Sequence, residues 1–274
     1  MLHHPNIDPI ALKLGPLAIH WYGLMYLLGF WAAWGMALKR AKMPHVQWSK
    51  DRISDLLFYV VLGVILGGRI GYVLFYAYDP QGHWLPASDS LMIFRVWQGG
   101  MSFHGGLIGV LVAFGAFAYM QKLKYFEVAD FTAVLVPIGL FTGRIGNFIN
   151  GELWGKPTDL PWGMVFQTAP DALPRHPSML YEAFLEGIVL FTVLWLVGRR
   201  PTPRGLISAL FLLLYGAFRF LIEFVRVPDA QLGYLHFGWL TRGQELCIPM
   251  LLGGLAILAW SLIRNRQAPT GTSA

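Results

Sequence analysis

The sequence has few charged residues and a single cysteine. Charged residues make up 13% of the 274 positions, against about 25% in ordinary soluble chains. With 55% hydrophobic residues, the chain is too apolar for a water-soluble domain. One cysteine excludes an internal disulfide and a cysteine-rich metal site. Cys247 begins an apolar run, where a small buried hydrophobe is favoured over a nucleophile.

Other common signals are also missing from the sequence. No cluster of histidine, cysteine and carboxylate has metal-ligand spacing, and no nucleotide-binding loop is present, so we expect no metal and no cofactor. A cleavable secretory signal needs a basic N-terminal region and a small-residue cleavage site. Residues 1–16 contain only Lys13 as a basic residue, and the first apolar run ends in Leu38-Lys39-Arg40. We expect that run to remain as a membrane span.

Long apolar runs are abundant. A membrane-spanning helix needs about 20 apolar residues, and candidate runs lie at roughly 18–38, 53–77, 99–120, 128–149, 179–197, 206–225 and 244–263. Pro137 and several glycines interrupt the fourth run. The sequence therefore predicts an all-α integral membrane protein with about seven transmembrane helices. We expect one polytopic membrane domain over residues 1–274, with a small periplasmic cap at about 150–178.

The net charge of +6 indicates membrane orientation rather than nucleic-acid binding. Alternate loops and the C-terminal tail contain most of the basic residues: Lys39, Arg40, Lys42, Lys50, Arg52, Lys122, Lys124, Arg199, Arg200, Arg204, Arg264 and Arg266. Loops rich in lysine and arginine stay in the cytoplasm. An odd number of spans then predicts a periplasmic N-terminus and a cytoplasmic C-terminus.

Several polar residues interrupt the apolar runs at a similar depth. They are Arg69, His104, Arg144, Arg219 and Glu223. A charge at the bilayer centre costs about 2.5–3.5 kcal/mol on insertion scales, so such residues usually mark a function or an internal pair. In the predicted orientation these five residues and Tyr26 all lie in the outer half of the bilayer.

The convergence of arginines at this depth suggests recognition of a phospholipid headgroup. A guanidinium pairs with two phosphate oxygens, and a histidine accepts a proton near neutral pH. Together these groups suit a group transfer in which a base activates a nucleophile and cations stabilise a phosphate leaving group. On this interpretation Arg69 and Glu223 join the substrate-binding residues.

Structural alternatives stay open for each of these residues. Arg219 and Glu223 have the i, i+4 spacing of an ion pair within one helix. Arg69 and Arg144 lie near enough to the interface to extend their side chains to water. His104 and the adjacent glycines can serve helix packing alone. A transporter or channel would also place charges inside the membrane, and another lipid-modifying enzyme would fit the same composition.

Six motifs in order carry a resemblance to a known family. They are HWYGLMY at 20–26, GGRIGY at 67–72, MSFHGGLIG at 101–109, GRIGNFINGE at 143–152, HPS at 176–178 with Tyr181-Glu182, and YGAFR at 215–219 with Glu223. From near the N-terminus to the last helix, the chain resembles the bacterial prolipoprotein diacylglyceryl transferases.

The resemblance implies a defined reaction in the bacterial inner membrane. The family moves the diacylglyceryl group of phosphatidylglycerol to the thiol of the lipobox cysteine in a preprolipoprotein signal peptide. A thioether forms and glycerol phosphate is released. By motif, the resemblance assigns functional roles to Tyr26, His104, Arg144, Asn147, Glu152, Gly155, Tyr215 and Arg219.

A mechanism follows as a hypothesis. His104 is the candidate base toward the thiol, which attacks only as thiolate. Arg144 and Arg219 would bind the phosphate and offset the charge that develops on the leaving group, and Asn147 and Glu152 would orient them. The role of Tyr26 is less defined, because its hydroxyl can simply satisfy a buried partner.

Overall fold

The computed structural model describes residues 2–15, 17–78, 82–87, 89–96, 99–228 and 234–267. Each of the predicted apolar runs contains a helix. The helices are α1 (Trp21–Ala41), α2 (Lys50–Phe75), α3 (Phe103–Met120), α4 (Tyr125–Ala133), α5 (Val136–Asn150), α6 (Ser178–Glu182), α7 (Leu190–Gly198), α8 (Leu206–Ile222) and α9 (Arg242–Gln267), with a π-helical segment at Ala183–Val189 between α6 and α7.

Helix length and composition identify an integral membrane protein. Within the described residues, four helical segments are long and apolar enough to cross a bilayer: Lys50–Phe75, Phe103–Met120, Ser178–Gly198 and Arg242–Arg264. The α4–α5 pair, bent by 41°, makes a fifth if it counts as one span. The bend falls just before Pro137, which occupies the first turn of α5, as expected for a residue that cannot donate a backbone hydrogen bond. Helix α8 is apolar but shorter.

The chain divides into two compact units. One contains Val46–Ala129, and the other contains the chain up to His45 together with the chain from Asp130 onward. The second unit includes a buried apolar core formed by Ala133, Val134, Leu190, Leu194 and Ile207. This core joins the end of α4 to α7 and α8. Helices α5 and α6 belong to the same unit.

In the Val46–Ala129 unit, helices α2 and α3 pack with their backbones in direct contact. A β-carbon on Gly109 would collide with the carbonyl of Gly63 and lie 2.9 Å from Cα of Gly67. A β-carbon on Gly105 would lie 2.9 Å from Cα of Gly71. Small residues permit such close approach of membrane helices. The structure therefore shows that these glycines serve close helix packing, the alternative that the sequence left open.

Short β-strands accompany the helices. Strands β2 (Ile10–Leu14) and β3 (Leu17–His20) form an antiparallel pair directly before α1. Strand β1 (Leu2–His3) pairs in parallel with β4 (Met164–Val165), and β5 (Tyr234–His236) pairs with β6 (Leu240–Thr241) before α9.

The segment between α5 and α6 folds over the ends of these helices. Arg175 is buried, forms a two-point ion pair with Asp171 and lies 4.4 Å over the ring of Trp154. The hydrogen bond from Arg175 lowers the pKa of the Asp171 carboxyl. Ser178 donates a hydrogen bond of 2.8 Å to the carbonyl of Leu153. These contacts attach the segment to the first turn of α6.

Candidate active site

Three arginines and three glutamates meet where α5, α6, the π-helical segment and α8 pack together. We call the set Arg144, Glu182, Glu186, Arg219, Glu223 and Arg226 the arginine–glutamate cluster. All six belong to the same compact unit. Ionisable side chains inside a membrane protein face the protein interior and pair with one another, and these residues follow that rule.

Glu182 lies at the centre of the cluster and is completely buried. Its Oε2 atom is 2.6 Å from Nε of Arg144. Its Oε1 atom is 2.5 Å from Nη1 of Arg219 and 2.7 Å from Nη1 of Arg226. One carboxylate therefore contacts guanidinium groups from α5, from α8 and from the segment that follows α8.

Glu223 forms a second centre at the C-terminal end of α8. It pairs with Nη2 of Arg219 and lies 3.0 Å from Nε of Arg226. The hydroxyl of Thr241 donates a 2.7 Å hydrogen bond to its other oxygen. The i, i+4 pair that the sequence left open as a structural alternative is present, but Arg219 divides its contacts between Glu182 and Glu223.

Glu186 differs from its two neighbours. It is fully buried, and neither carboxylate oxygen accepts a hydrogen bond from any described residue. The nearest cation is Nη2 of Arg144, at 3.9 Å from Oε2. Glu186 lies within the π-helical segment, a conformation that often occurs at functional sites.

Arg144 is anchored on one side only. Beyond its contact with Glu182, Nη1 donates a long 3.4 Å hydrogen bond to Oδ1 of Asn147. Asn147 in turn donates a 2.8 Å bond to Glu152. The Arg144 side chain keeps 20% of its surface exposed. Its two terminal nitrogens are thus available for an additional acceptor. Asn147 contacts Arg144 directly, and Glu152 contacts Asn147.

Two tyrosines border the cluster. Tyr26 is exposed, its hydroxyl lies 3.2 Å from that of Tyr22, and it interacts electrostatically with Arg144. Tyr215 stacks on Phe211 and interacts electrostatically with members of the cluster, including Arg219. The structure therefore brings both tyrosines to the predicted arginines.

Gly155 lies beside the cluster at a position where a side chain would not fit. A β-carbon at this position would collide with the carbonyl of Val225 and lie 2.8 Å from Cβ of His176. The amide of Gly155 donates to the carbonyl of His176 at 2.8 Å. Gly155 therefore lets the segment between α5 and α6 approach the chain next to Arg226, and the two residues form an isolated β-bridge.

Arg69 and His104 belong to the Val46–Ala129 unit. Arg69 is buried and donates hydrogen bonds to the backbone carbonyls of Met92, Ile93, Gly99 and Gly100. It also lies 5.4 Å over the ring of Tyr72. These contacts give Arg69 a structural role in holding that backbone segment, an alternative that the sequence argument did not raise.

His104 occupies the first turn of α3. It is exposed, and its ring meets that of Phe103 edge-on at 5.6 Å. Ser102 caps the helix by accepting a hydrogen bond from the amide of Gly105. The imidazole is thus accessible at a defined helix terminus.

A small polar cavity of about 40 Å³ adjoins the cluster. It is lined by Arg219, Glu223, Arg226, Val227, Thr241, Arg242 and Gly243. Three of the seven lining residues are arginines, which suits an acceptor-rich anionic group better than a cation. A volume of this size admits only a few water molecules.

Glu182, Glu186 and Arg226 were not predicted to be members of the site. Glu182 and Glu186 are two carboxylates with i, i+4 spacing inside the apolar run 179–197. That is the same signal that had selected the arginines, because an intramembrane carboxylate is as costly as a cation. Arg226 lies just beyond the apolar run 206–225, so it does not stand out as an intramembrane charge.

Comparison with known proteins agrees with these motifs. The family model described as prolipoprotein diacylglyceryl transferase matches residues 9–260. A phosphatidylglycerol–prolipoprotein diacylglyceryl transferase of Azotobacter vinelandii is 58% identical over 267 residues, covering 97% of this chain and 99% of the relative. Relatives of the same description from Ectopseudomonas mendocina and Pseudomonas aeruginosa are 56% identical, over 97% and 98% of this chain and 98% and 99% of their own lengths.

Proposed function

The chain belongs to the prolipoprotein diacylglyceryl transferase family, and from this premise we propose how its residues carry out the reaction. The enzyme transfers a diacylglyceryl group from phosphatidylglycerol to a prolipoprotein, the first step of lipoprotein maturation. The acceptor is the thiol of the lipobox cysteine in the signal peptide. The sulfur bonds to the glyceryl carbon, the bond from that carbon to the phosphate oxygen breaks, and the electron pair leaves with glycerol phosphate.

Arg144 and Arg219 form the phosphate clamp. The observation that carries this proposal is the one-sided anchoring of Arg144, whose Nε is held by Glu182 at 2.6 Å while its terminal nitrogens have only distant partners. A guanidinium with an open edge binds two phosphate oxygens at once. Arg219, from α8, completes the clamp and stabilises the charge that appears on the departing phosphate.

The thiol proton is assigned to His104. A thiol of ordinary pKa, about 8.5, attacks only as thiolate, so a base must accept its proton. His104 is supported by the MSFHGGLIG motif and by the exposure of its ring. Tyr26 is assigned to the substrate-facing side of Arg144, with its hydroxyl available to the lipid.

The membrane arrangement is proposed from the charge pattern. Seven spans comprise α1, α2, α3, the α4–α5 pair, α6 through α7, α8 and α9. Basic loops place the C-terminus in the cytoplasm and the N-terminus in the periplasm of the bacterial inner membrane. In this orientation the arginine–glutamate cluster lies in the outer half of the bilayer, at the level of the headgroups.

The clamp is tested with purified protein, phosphatidylglycerol and a lipobox peptide. Mass spectrometry measures the diacylglyceryl-peptide product. We expect Arg144→Ala and Arg219→Ala each to lose transfer by about 10²-fold or more, in line with the loss of one transition-state donor. Arg95→Ala is the matched control, because Arg95 forms an ion pair with Asp89 outside the cluster. Near-normal transfer by both cluster variants would refute the clamp.

The base is tested separately with His104→Gln. Glutamine retains a polar side chain of similar reach but cannot accept a proton near neutral pH. We expect the transfer rate to fall by about 10²-fold, the usual scale of general-base catalysis, while binding of phosphatidylglycerol is kept. Full activity in this variant would exclude His104 as the base and leave the phosphate clamp intact.

A further inference from the structure

Glu182 joins the three arginines of the arginine–glutamate cluster. Among the residues that the structure describes, this carboxylate contacts the guanidinium groups of Arg144, Arg219 and Arg226 at 2.5–2.7 Å, with no exposed surface of its own. Oε1 contacts two of these guanidiniums, and Oε2 lies 2.6 Å from Nε of Arg144. Because the carboxylate is completely buried beneath the arginines, any effect that it has on the reaction acts through them.

Each guanidinium forms an ion pair with Glu182 through one of its nitrogens. Arg144 gives its Nε, and Arg219 gives one terminal nitrogen while the other goes to Glu223. A long arginine side chain loses much rotamer freedom when it is fixed. Like charges also repel one another. Without a central anion, the three guanidiniums would separate and their open edges would no longer point in a common direction.

Stability alone does not explain a carboxylate at the position of Glu182. A buried ion pair often contributes no more to stability than well-packed apolar residues of the same volume. A structural account therefore leaves unexplained why a carboxylate stands at this point of an apolar helix. The π-helical segment that begins at Ala183, directly after Glu182, is a second irregular feature of the kind that accompanies functional sites.

We propose that Glu182 is the positioning residue of the phosphate clamp, which aligns Arg144 and Arg219 for the phosphate of the donor lipid. The proposal rests on the proposed function of those arginines. It makes a particular kinetic prediction. Removing the charge of Glu182 leaves the cluster more positive, so attraction of an anionic lipid should not weaken. Alignment in the transition state should be lost, and kcat should fall.

The experiment compares Glu182→Gln, Glu182→Asp and Glu245→Gln as full-length purified proteins. Glu245 is the matched control because it pairs with Arg242 in an exposed ion pair. Transfer to a lipobox peptide is measured while phosphatidylglycerol is varied in mixed micelles. For Glu182→Gln we expect kcat to fall about 10²-fold, the scale of a 1 Å misplacement, with KM for the lipid unchanged or lower. Glu182→Asp should recover part of kcat, and the control should match the wild type.

A folding defect is handled with a second variant. Glu182→Gln combined with Arg226→Gln removes one negative and one positive charge, so the net charge of the cluster is unchanged. This double variant should fold and still show the low kcat. A kcat within about threefold of wild type, in either folded variant, overturns the positioning role. A raised KM with normal kcat also overturns it, because Glu182 would then act only in lipid binding.

The same measurements separate this proposal from the function on which it rests. If the wild-type protein yields no diacylglyceryl-peptide, the proposed function fails. If the wild type is active and Arg144→Ala is not, while Glu182→Gln is normal, the clamp stands and only the positioning role is lost.

Discussion

Arg144 and Glu182 meet along one edge of the guanidinium group, with Nε of the arginine 2.6 Å from Oε2 of the glutamate. The other edge has weaker contacts, to Asn147 at 3.4 Å and Glu186 at 3.9 Å. Arg144 therefore has one firmly held edge, at Glu182, and one edge with room for another acceptor. In the proposed clamp, the carboxylate holds the arginine in place and the terminal nitrogens bind the phosphate.

Arg144→Lys tests whether this planar geometry is needed. Lysine keeps the positive charge but cannot contact Glu182 and a phosphate through two parallel N–H bonds. We expect transfer to fall about 10²-fold, as on removal of one transition-state donor, measured as product formed at saturating lipid. Arg95→Lys, outside the cluster, should keep its activity. A nearly normal rate in Arg144→Lys would mean that charge alone suffices.

Much of the helical framework could be predicted from the sequence. Each apolar run contains a helix, and the expected interruption near Pro137 appears as the bend between α4 and α5. These features depend on local composition, which a sequence displays directly. The interfacial depth expected for Arg144 and Arg219 remains a prediction from their positions along their helices.

The partners of those arginines could not be predicted in the same way. Glu182 contacts arginines 37 to 44 positions distant along the chain, so its role depends on which helices pack together. Arg69 illustrates the opposite case. The sequence places it with the other intramembrane arginines, but it donates hydrogen bonds to four backbone carbonyls that lie 23 to 31 positions further along the chain. No periodicity predicts these contacts.

Glu186→Gln should have little effect although it lies one turn from Glu182. Neither oxygen of Glu186 accepts a hydrogen bond from the described residues, so the isosteric amide removes none. Burying a carboxylate without hydrogen bonds is unfavourable. We expect the thermal midpoint in detergent to stay equal or rise, and transfer to remain within about threefold of wild type. A loss as large as that of Glu182→Gln would show that Glu186 takes part in the reaction.

Gly109→Ala should destabilise the packing of α2 against α3. A β-carbon there would collide with the carbonyl of Gly63, and overpacking typically costs about 1–3 kcal/mol. Gly115→Ala on the same helix is the matched control, because a β-carbon at Gly115 meets nothing within 4 Å. Thermal unfolding in detergent should show a lower midpoint for Gly109→Ala only. Equal midpoints for the two variants would contradict the close packing.

The stability of the protein should depend on pH through His176. This residue precedes α6, and its Nδ1 lies 3.2 Å from the hydroxyl of Tyr181. Burial, and then the charge of Lys156, lower the pKa of His176 below its ordinary value of about 6.5. As the pH falls below about 6.5, the unfolded chain binds a proton that the folded chain still excludes, so stability decreases. In His176→Gln this contribution is absent. The difference in thermal midpoint between wild type and variant should therefore be constant above neutral pH. From about pH 6.5 down to pH 5, the midpoint of the wild type should fall relative to that of the variant. A difference that stays constant over the whole range would show that His176 has the same pKa in both states.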